Sequence, residues 1–136
     1  MHTIRYDDRG FRERIVGDYD RTEDILVSPE MTESSMAVAV RMKKGFKTET
    51  HSHTDQEQIY LILQGSCVLT VDGDSQTVEE GMAAFIPRNA SHRVVAISQE
   101  LVYVYLGVWP KGKPKGLKPR AIQTGKVLDL KFDSTG

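Results

Sequence analysis

Three of the four histidines in this chain of 136 residues lie in two short segments that could together hold a metal ion. His51 and His53 are two residues apart in the segment GFKTETHSHTDQEQ. On a β-strand, residues at this spacing point to the same face, so the two imidazoles would converge. Neutral imidazoles bind zinc, iron, nickel and manganese. The pair alone is equally typical of hydrogen-bonded surface histidines, so by itself it predicts only half of a metal site.

The third histidine, His92, lies in the second segment, GMAAFIPRNASHRVV. A hairpin between the two segments is predicted at Asp72-Gly73, because this dipeptide favours a two-residue turn with positive φ angles. Antiparallel strands joined by tight turns are neighbours, so ligands that are distant in sequence can meet. We therefore expect His92 to complete a site with His51 and His53.

The elements that must position these histidines are short strands. Runs rich in β-branched and aromatic residues recur between turn signals, which is typical of an all-β sandwich or barrel with few helices. The predicted strands lie at 11–16, 24–28, 36–42, 58–64, 66–71, 75–79, 83–87, 92–97, 101–109 and 127–132. Several of them are apolar on both faces, which predicts that neither face meets water.

Composition limits the class of protein. Apolar residues make up 39% of the chain and charged residues 27%, which indicates a folded domain rather than a disordered chain. No apolar run is long enough to span a membrane, and a formal net charge of -1 is unlike the basic face that nucleic acid requires. We expect a small-molecule partner, with neither nucleic acid nor membrane.

Two further features concern the cellular compartment. The start of the chain, MHTIRYDDRG, lacks the basic and apolar regions of a secretory signal, which predicts a cytoplasmic location. The single cysteine, Cys67, cannot form an intrachain disulfide and lies in the apolar run SCVLTV. It is expected to be a small buried hydrophobic residue.

These residues resemble the two motifs of the cupin superfamily in its small, single-domain, metal-binding form. The first motif runs from Gly45 over five residues to His51 and His53, over four more to Gln58, and over six more to Gly65. The second runs from Gly81 over five residues to Pro87, Arg88 and Asn89, and over two more to His92. Asn89 replaces the usual glycine, and asparagine tolerates the left-handed backbone conformation better than most residues.

The resemblance implies a fold and a domain organisation. The expected fold is a double-stranded β-helix, or jelly-roll barrel, in a single domain over residues 1–136 with the barrel core at about 24–109. Residues 110–136 are expected to form a basic, Pro/Gly-rich linker and a C-terminal strand. The alternative for the basic segment 111–120 is an arm over a neighbour or over the entrance of an anionic ligand. Cupins commonly pair, so a homodimer is expected.

The resemblance also implies one divalent metal ion, held by His51, His53, His92 and a fourth ligand. The family usually has glutamate in the fourth position. Gln58 keeps six residues before Gly65, whereas Glu57 leaves seven, so Gln58 is favoured and Glu57 is the alternative. With a neutral glutamine ligand the metal keeps its full positive charge and is a stronger Lewis acid.

Small cupins with this ligand set imply a non-redox enzyme that performs ring opening, isomerisation or elimination on sugar acids and related carboxylates. Two other functions stay open, namely an iron-dependent dioxygenase and a non-catalytic cupin that binds or senses a small ligand. Tyr60, two residues from Gln58, is a candidate general acid or base, with a hydrogen-bonded core tyrosine as the alternative.

Other side chains could assist such a reaction. Tyr103 and Tyr105 share one face of a predicted strand and carry the same two interpretations as Tyr60. Arg41 and Arg93 are candidate carboxylate clamps, because the guanidinium group offers a planar pair of donors. The alternative for both arginines is a solvent-facing or structural position.

Overall fold

The computed structural model describes residues 1–7, 13–15, 21–117, 122–123 and 126–127. In chain order the strands are β1 (Glu13–Ile15), β2 (Arg21–Val27), β3 (Ser35–Lys43), β4 (Glu57–Gln64), β5 (Ser66–Val71), β6 (Asp74–Glu79), β7 (Ala83–Ile86), β8 (His92–Ala96), β9 (Glu100–Val108), β10 (Ile122–Gln123) and β11 (Lys126–Val127). A 3-10 turn, Pro29–Met31, follows β2. Most predicted strands are confirmed, and the parts at 11–12, 16 and 128–132 lie outside the described residues.

Two antiparallel sheets build the barrel. The larger has the strand order β1-β2-β3-β9-β4-β7 and the smaller has the order β6-β5-β8. Side chains from both sheets enter one apolar core, with Tyr60 and Ile62 from the larger sheet and Leu69 and Val94 from the smaller. This arrangement confirms the predicted double-stranded β-helix. Within the described ranges, β10 and β11 pair with each other and with neither sheet of the barrel.

The hairpin between β5 and β6 has the predicted turn. Val71 pairs with Asp74, which leaves Asp72 and Gly73 as the two loop residues, with φ angles of 48° and 81°. Positive φ at both positions is what a type I′ turn requires. Asn89 has a φ of 70°, as expected of an asparagine in place of glycine.

The outer faces of the sheet differ from the sequence prediction. At Ala39 on β3 and Val102 on β9 the prediction holds, because these two outward residues are buried under Tyr6 and Leu26. On β4 it is wrong, since Leu61 and its outward neighbours meet water. Apolar residues alone did not reveal this difference, because covering a face requires another segment to lie on it.

The described start of the basic segment contacts the barrel. The ammonium group of Lys113 donates hydrogen bonds to the backbone carbonyls of Pro29 and Thr32, both at 2.6 Å. The linker interpretation therefore does not hold at Lys113, and residues 118–120 lie outside the described residues. Among the described residues, no helix has the length and apolar character needed to cross a membrane. The cytoplasmic location stays a prediction.

Candidate metal centre

Three histidines meet at one end of the barrel. His51 and His92 form an antiparallel bridge in which each backbone N–H donates to the carbonyl of the other, at 3.1 Å and 2.8 Å. The carbonyl of His53 accepts a hydrogen bond of 2.7 Å from the backbone N–H of Asn89. These bonds bring the two sequence segments together, and the ligand nitrogens of the three rings lie within 4.8 Å of one another.

The ring nitrogens are oriented as metal ligands require. Nδ1 of His51 lies 2.6 Å from the carbonyl oxygen of Glu49, and Nδ1 of His92 lies 3.0 Å from that of Ala90. A carbonyl can only accept, so both Nδ1 atoms carry the proton and both Nε2 atoms keep a lone pair. Nε2 of His53 and of His92 are buried without a hydrogen-bond partner. Because buried polar atoms are normally paired, these two Nε2 atoms fit a divalent cation as their partner.

The histidines are neutral at pH 7. Burial, with repulsion from the neighbouring imidazoles, lowers the pKa of His53 to about 3. Burial also lowers the pKa of His92 to about 4, and that of His51 below its usual range. Metal binding requires the unprotonated ring, so protons do not compete for this site near neutral pH.

The two candidates for the fourth ligand lie on different faces of β4. Gln58 is buried with Tyr60 and Ile62, and its Nε2 donates a 2.7 Å hydrogen bond to Oε1 of Gln56. This bond leaves Oε1 of Gln58 as the atom available to a cation. Glu57 has the opposite strand parity, and among the described residues it does not belong to the histidine cluster. The geometry therefore favours Gln58.

Three buried tyrosines cluster together, and one of them, Tyr60, lies near His92. The Tyr60 ring centroid is 6.4 Å from that of His92, and Tyr60 stacks on Tyr103 at 5.0 Å. Tyr105 lies 6.0 Å from Tyr60. Burial and the neighbouring Tyr105 raise the pKa of Tyr60, so its hydroxyl holds its proton at neutral pH.

The sequence did not predict one feature of the interior, a buried ion pair between Arg21 and Glu23. Nε of Arg21 lies 2.6 Å from a carboxylate oxygen of Glu23, and the two residues are 5% and 0% exposed. Glu23 pairs in register with Val40, a residue of the apolar core, so the ion pair faces the barrel interior. The predicted strand began at residue 24 and omitted both. The period-two spacing of Arg21 and Glu23 with Ile25 in RTEDILV was the available signal.

The predicted arginine clamps do not reach this interior. Arg41 is exposed and pairs with Glu100. Arg93 alternates on β8 with the buried His92 and Val94, so its side chain points to the outer face of the strand. The alternative interpretation, solvent-facing arginines, describes both better.

The family of this chain follows from its match to a family model. The model of the cupin domain family, Cupin_2, matches residues 38–109, which is more than half of the chain. The chain belongs to the cupin family. This confirms the resemblance carried by the two histidine motifs.

Individual relatives of this cupin match it at low to moderate identity. DddW, a dimethylsulfoniopropionate lyase from Ruegeria pomeroyi, is 38% identical over 61 residues, which cover 45% of this chain and 40% of the lyase. The chain thus matches less than half of that relative's length. KdgF from Halomonas sp. is 23% identical with a TM-score of 0.60, covering 67% of this chain and 80% of KdgF. A predicted oxalate decarboxylase from Thermotoga maritima is 16% identical with a TM-score of 0.69, covering 79% and 98%. The two structural likenesses show the fold.

Proposed function

We propose that this cupin is a metal-dependent, non-redox enzyme of the isomerase, lyase or ring-opening type that acts on a small polar or anionic molecule such as a sugar acid. One divalent ion would be held by His51, His53, His92 and Gln58, with Glu57 as the alternative to Gln58. The observation that carries the proposal is the convergence of three neutral imidazoles, two of them with buried and unpaired Nε2 atoms.

The chemistry of the donor set supports the substrate class. A bound divalent cation supplies Lewis acidity, which polarises a carbonyl or hydroxyl group of the substrate. Imidazole and amide ligands are neutral, so they leave the positive charge uncompensated and favour a carboxylate partner. Burial keeps the histidines unprotonated and therefore ready to bind the ion.

Tyr60 is the proposed proton donor. Its ring lies edge-on to His92 inside the barrel, and its raised pKa keeps the hydroxyl protonated at pH 7. A protonated phenol can donate a hydrogen bond, or a proton, to an oxygen that gains negative charge during the reaction. Tyr60→Phe should therefore lower turnover while metal binding persists.

The lyase named for dimethylsulfoniopropionate supports an elimination reaction on a small carboxylate. The first substrates to test are therefore dimethylsulfoniopropionate and carboxylated sugars. Turnover without oxygen is expected, with complete loss after chelation and recovery after addition of a divalent metal. Metal-independent turnover would overturn the proposal.

Other outcomes separate the alternatives. Substrate-dependent oxygen uptake, with no anaerobic activity, would indicate an iron-dependent dioxygenase. A ligand that raises the melting temperature without forming product would indicate a binding or sensing cupin, because ligands stabilise the state to which they bind. Loss of metal binding is tested with His53→Ala. His2→Ala, at the exposed fourth histidine, is its matched control.

We also infer a homodimer in which the outer face of β4 is covered. Ile59 pairs in register with Phe85 on β7 and with Leu106 on β9, and these three residues are 38%, 57% and 43% exposed. A contiguous row of exposed apolar residues is typical of an interaction surface. Sedimentation analysis should give a dimer for the wild type and a monomer for Phe85→Glu. A monomeric wild type would contradict this inference.

A further inference from the structure

We infer that Gln56 is a positioning residue that determines which atom of the Gln58 amide faces the metal. The inference rests on the proposed metal site and adds the device that orients its fourth ligand. Gln56 lies just before β4 and is 1% exposed, so its amide must find its partners inside the protein.

The contacts of Gln56 form a chain of donors and acceptors. Its Oε1 accepts the 2.7 Å hydrogen bond from Nε2 of Gln58. Its own Nε2 lies 3.8 Å from the sulfur of Met36, a distance that suits a hydrogen bond to sulfur. Met36, Gln56 and Gln58 thus form a relay that ends at the proposed fourth ligand.

The relay has a fixed direction because a thioether accepts hydrogen bonds and cannot donate them. Gln56 must therefore turn its NH2 group to Met36 and its oxygen to Gln58. Gln58 then turns its own NH2 group to Gln56, which leaves its oxygen for the cation. The reversed relay would place an amide oxygen against the sulfur lone pairs and an NH2 group towards the metal.

Gly107 provides the space for this arrangement. On β9 it pairs with Met36 of β3 and with Gln58 of β4. A Cβ atom at this position would lie 2.6 Å from Nε2 and 2.7 Å from Cδ of Gln56, which is closer than side-chain atoms can approach. Glycine inside a strand commonly marks the close approach of another group, and here that group is the Gln56 amide.

The test is a titration of the full chain with Co²⁺, followed by the absorption bands of the bound ion. Gln56→Leu and Gly107→Ala should each weaken Co²⁺ binding about 10- to 100-fold, the usual effect of losing a group that orients a ligand. Gln56→Glu keeps an acceptor oxygen for Gln58 and should bind Co²⁺ at least as tightly as the wild type. Gln64→Leu, an exposed glutamine on the same strand, is the matched control and should have no effect.

A double-mutant cycle distinguishes positioning from a general structural effect. If Gln56 acts through Gln58, then Gln56→Leu should change Co²⁺ affinity less than about twofold in a Gln58→Ala background. An equal loss in both backgrounds would overturn the positioning role, as would wild-type affinity in both Gln56→Leu and Gly107→Ala.

Two further measurements keep the result interpretable. If Gln56→Leu does not fold, Gln56→Met offers a similar volume with only a weak acceptor and should show the same loss; wild-type affinity in that variant overturns the inference. Failure of the proposed metal site would be recognised separately, because His53→Ala would then bind Co²⁺ as the wild type does.

Discussion

The two faces of β4 have similar apolar content and different surroundings. On the inner face, Gln58, Tyr60 and Ile62 are at most 4% exposed; Tyr60 and Ile62 belong to the core, and the Tyr60 ring lies near His92. On the outer face, Ile59 and Leu61 are 38% and 44% exposed. One strand thus has the proposed metal site on one face and the proposed association surface on the other.

Two ion pairs show the same contrast. Arg21 and Glu23 are buried in the interior, whereas Arg41 and Glu100 pair on the surface with side chains 44% and 34% exposed. An exposed pair contributes about 0–1 kcal/mol to stability. A buried pair must offset a large loss of hydration, so removing one partner is expected to be far more damaging.

The largest predicted effect concerns the inner histidines. His53→Ala should reduce bound Co²⁺ from one equivalent to none, because it removes a ligand from a site with only four. His2→Ala, outside the barrel, should retain one equivalent. Elemental analysis after gel filtration measures the metal content of both variants. Equal metal content in the two would contradict a metal site at the interior histidines.

The next largest effect concerns packing. Ile62→Ala, at a side chain 1% exposed, should lower the free energy of unfolding by about 2–5 kcal/mol, because it leaves a cavity in the core. Leu61→Ala, at the adjacent exposed position, should change it by no more than about 0.5 kcal/mol if no partner covers it. Urea unfolding at low protein concentration measures both. A large effect of Leu61→Ala that appears only at high concentration would support the dimer.

The stability of the metal-free protein should depend on pH because its inner histidines are buried. The pKa values of His53 and His92, about 3 and about 4, lie below the ordinary value of 6.5. At any pH between the folded-state pKa of a histidine and 6.5, the unfolded chain binds more protons than the folded chain. Stability of the metal-free protein is therefore complete above pH 6.5 and falls as pH decreases, by at most about 1.4 kcal/mol per pH unit for each histidine. Urea unfolding with chelator at pH 7, 5 and 4 tests this, and His53→Gln should flatten the profile.

The smallest predicted effect concerns the choice between Gln58 and Glu57 as the fourth ligand. Gln58→Ala should weaken Co²⁺ binding about tenfold or more, whereas Glu57→Ala should change it less than about twofold. The physical reason is strand parity, which directs only Gln58 inward. Co²⁺ titration measures both variants, and the opposite ranking would assign the fourth ligand to Glu57.

Much of the fold could be predicted because its signals are local. Alternation and β-branched residues mark individual strands, and Asp72-Gly73 marks its turn within two residues. The three histidines could be grouped because their motifs recur at set spacings in a known family. What escaped prediction was the covering of outer faces, since the exposure of Leu61 depends on which segment lies over β4.

The candidate site, too, could be predicted only in part. The sequence by itself determined an all-β cupin with His51, His53 and His92 in two linked segments. Its spacing also favoured Gln58 over Glu57. Only the tertiary structure buried the Arg21–Glu23 pair and set Gln56 against Gly107. The reason is register: Gln58 and Gly107 are adjacent because β4 and β9 pair in one alignment, and a shift by one residue would exchange the two faces of β4.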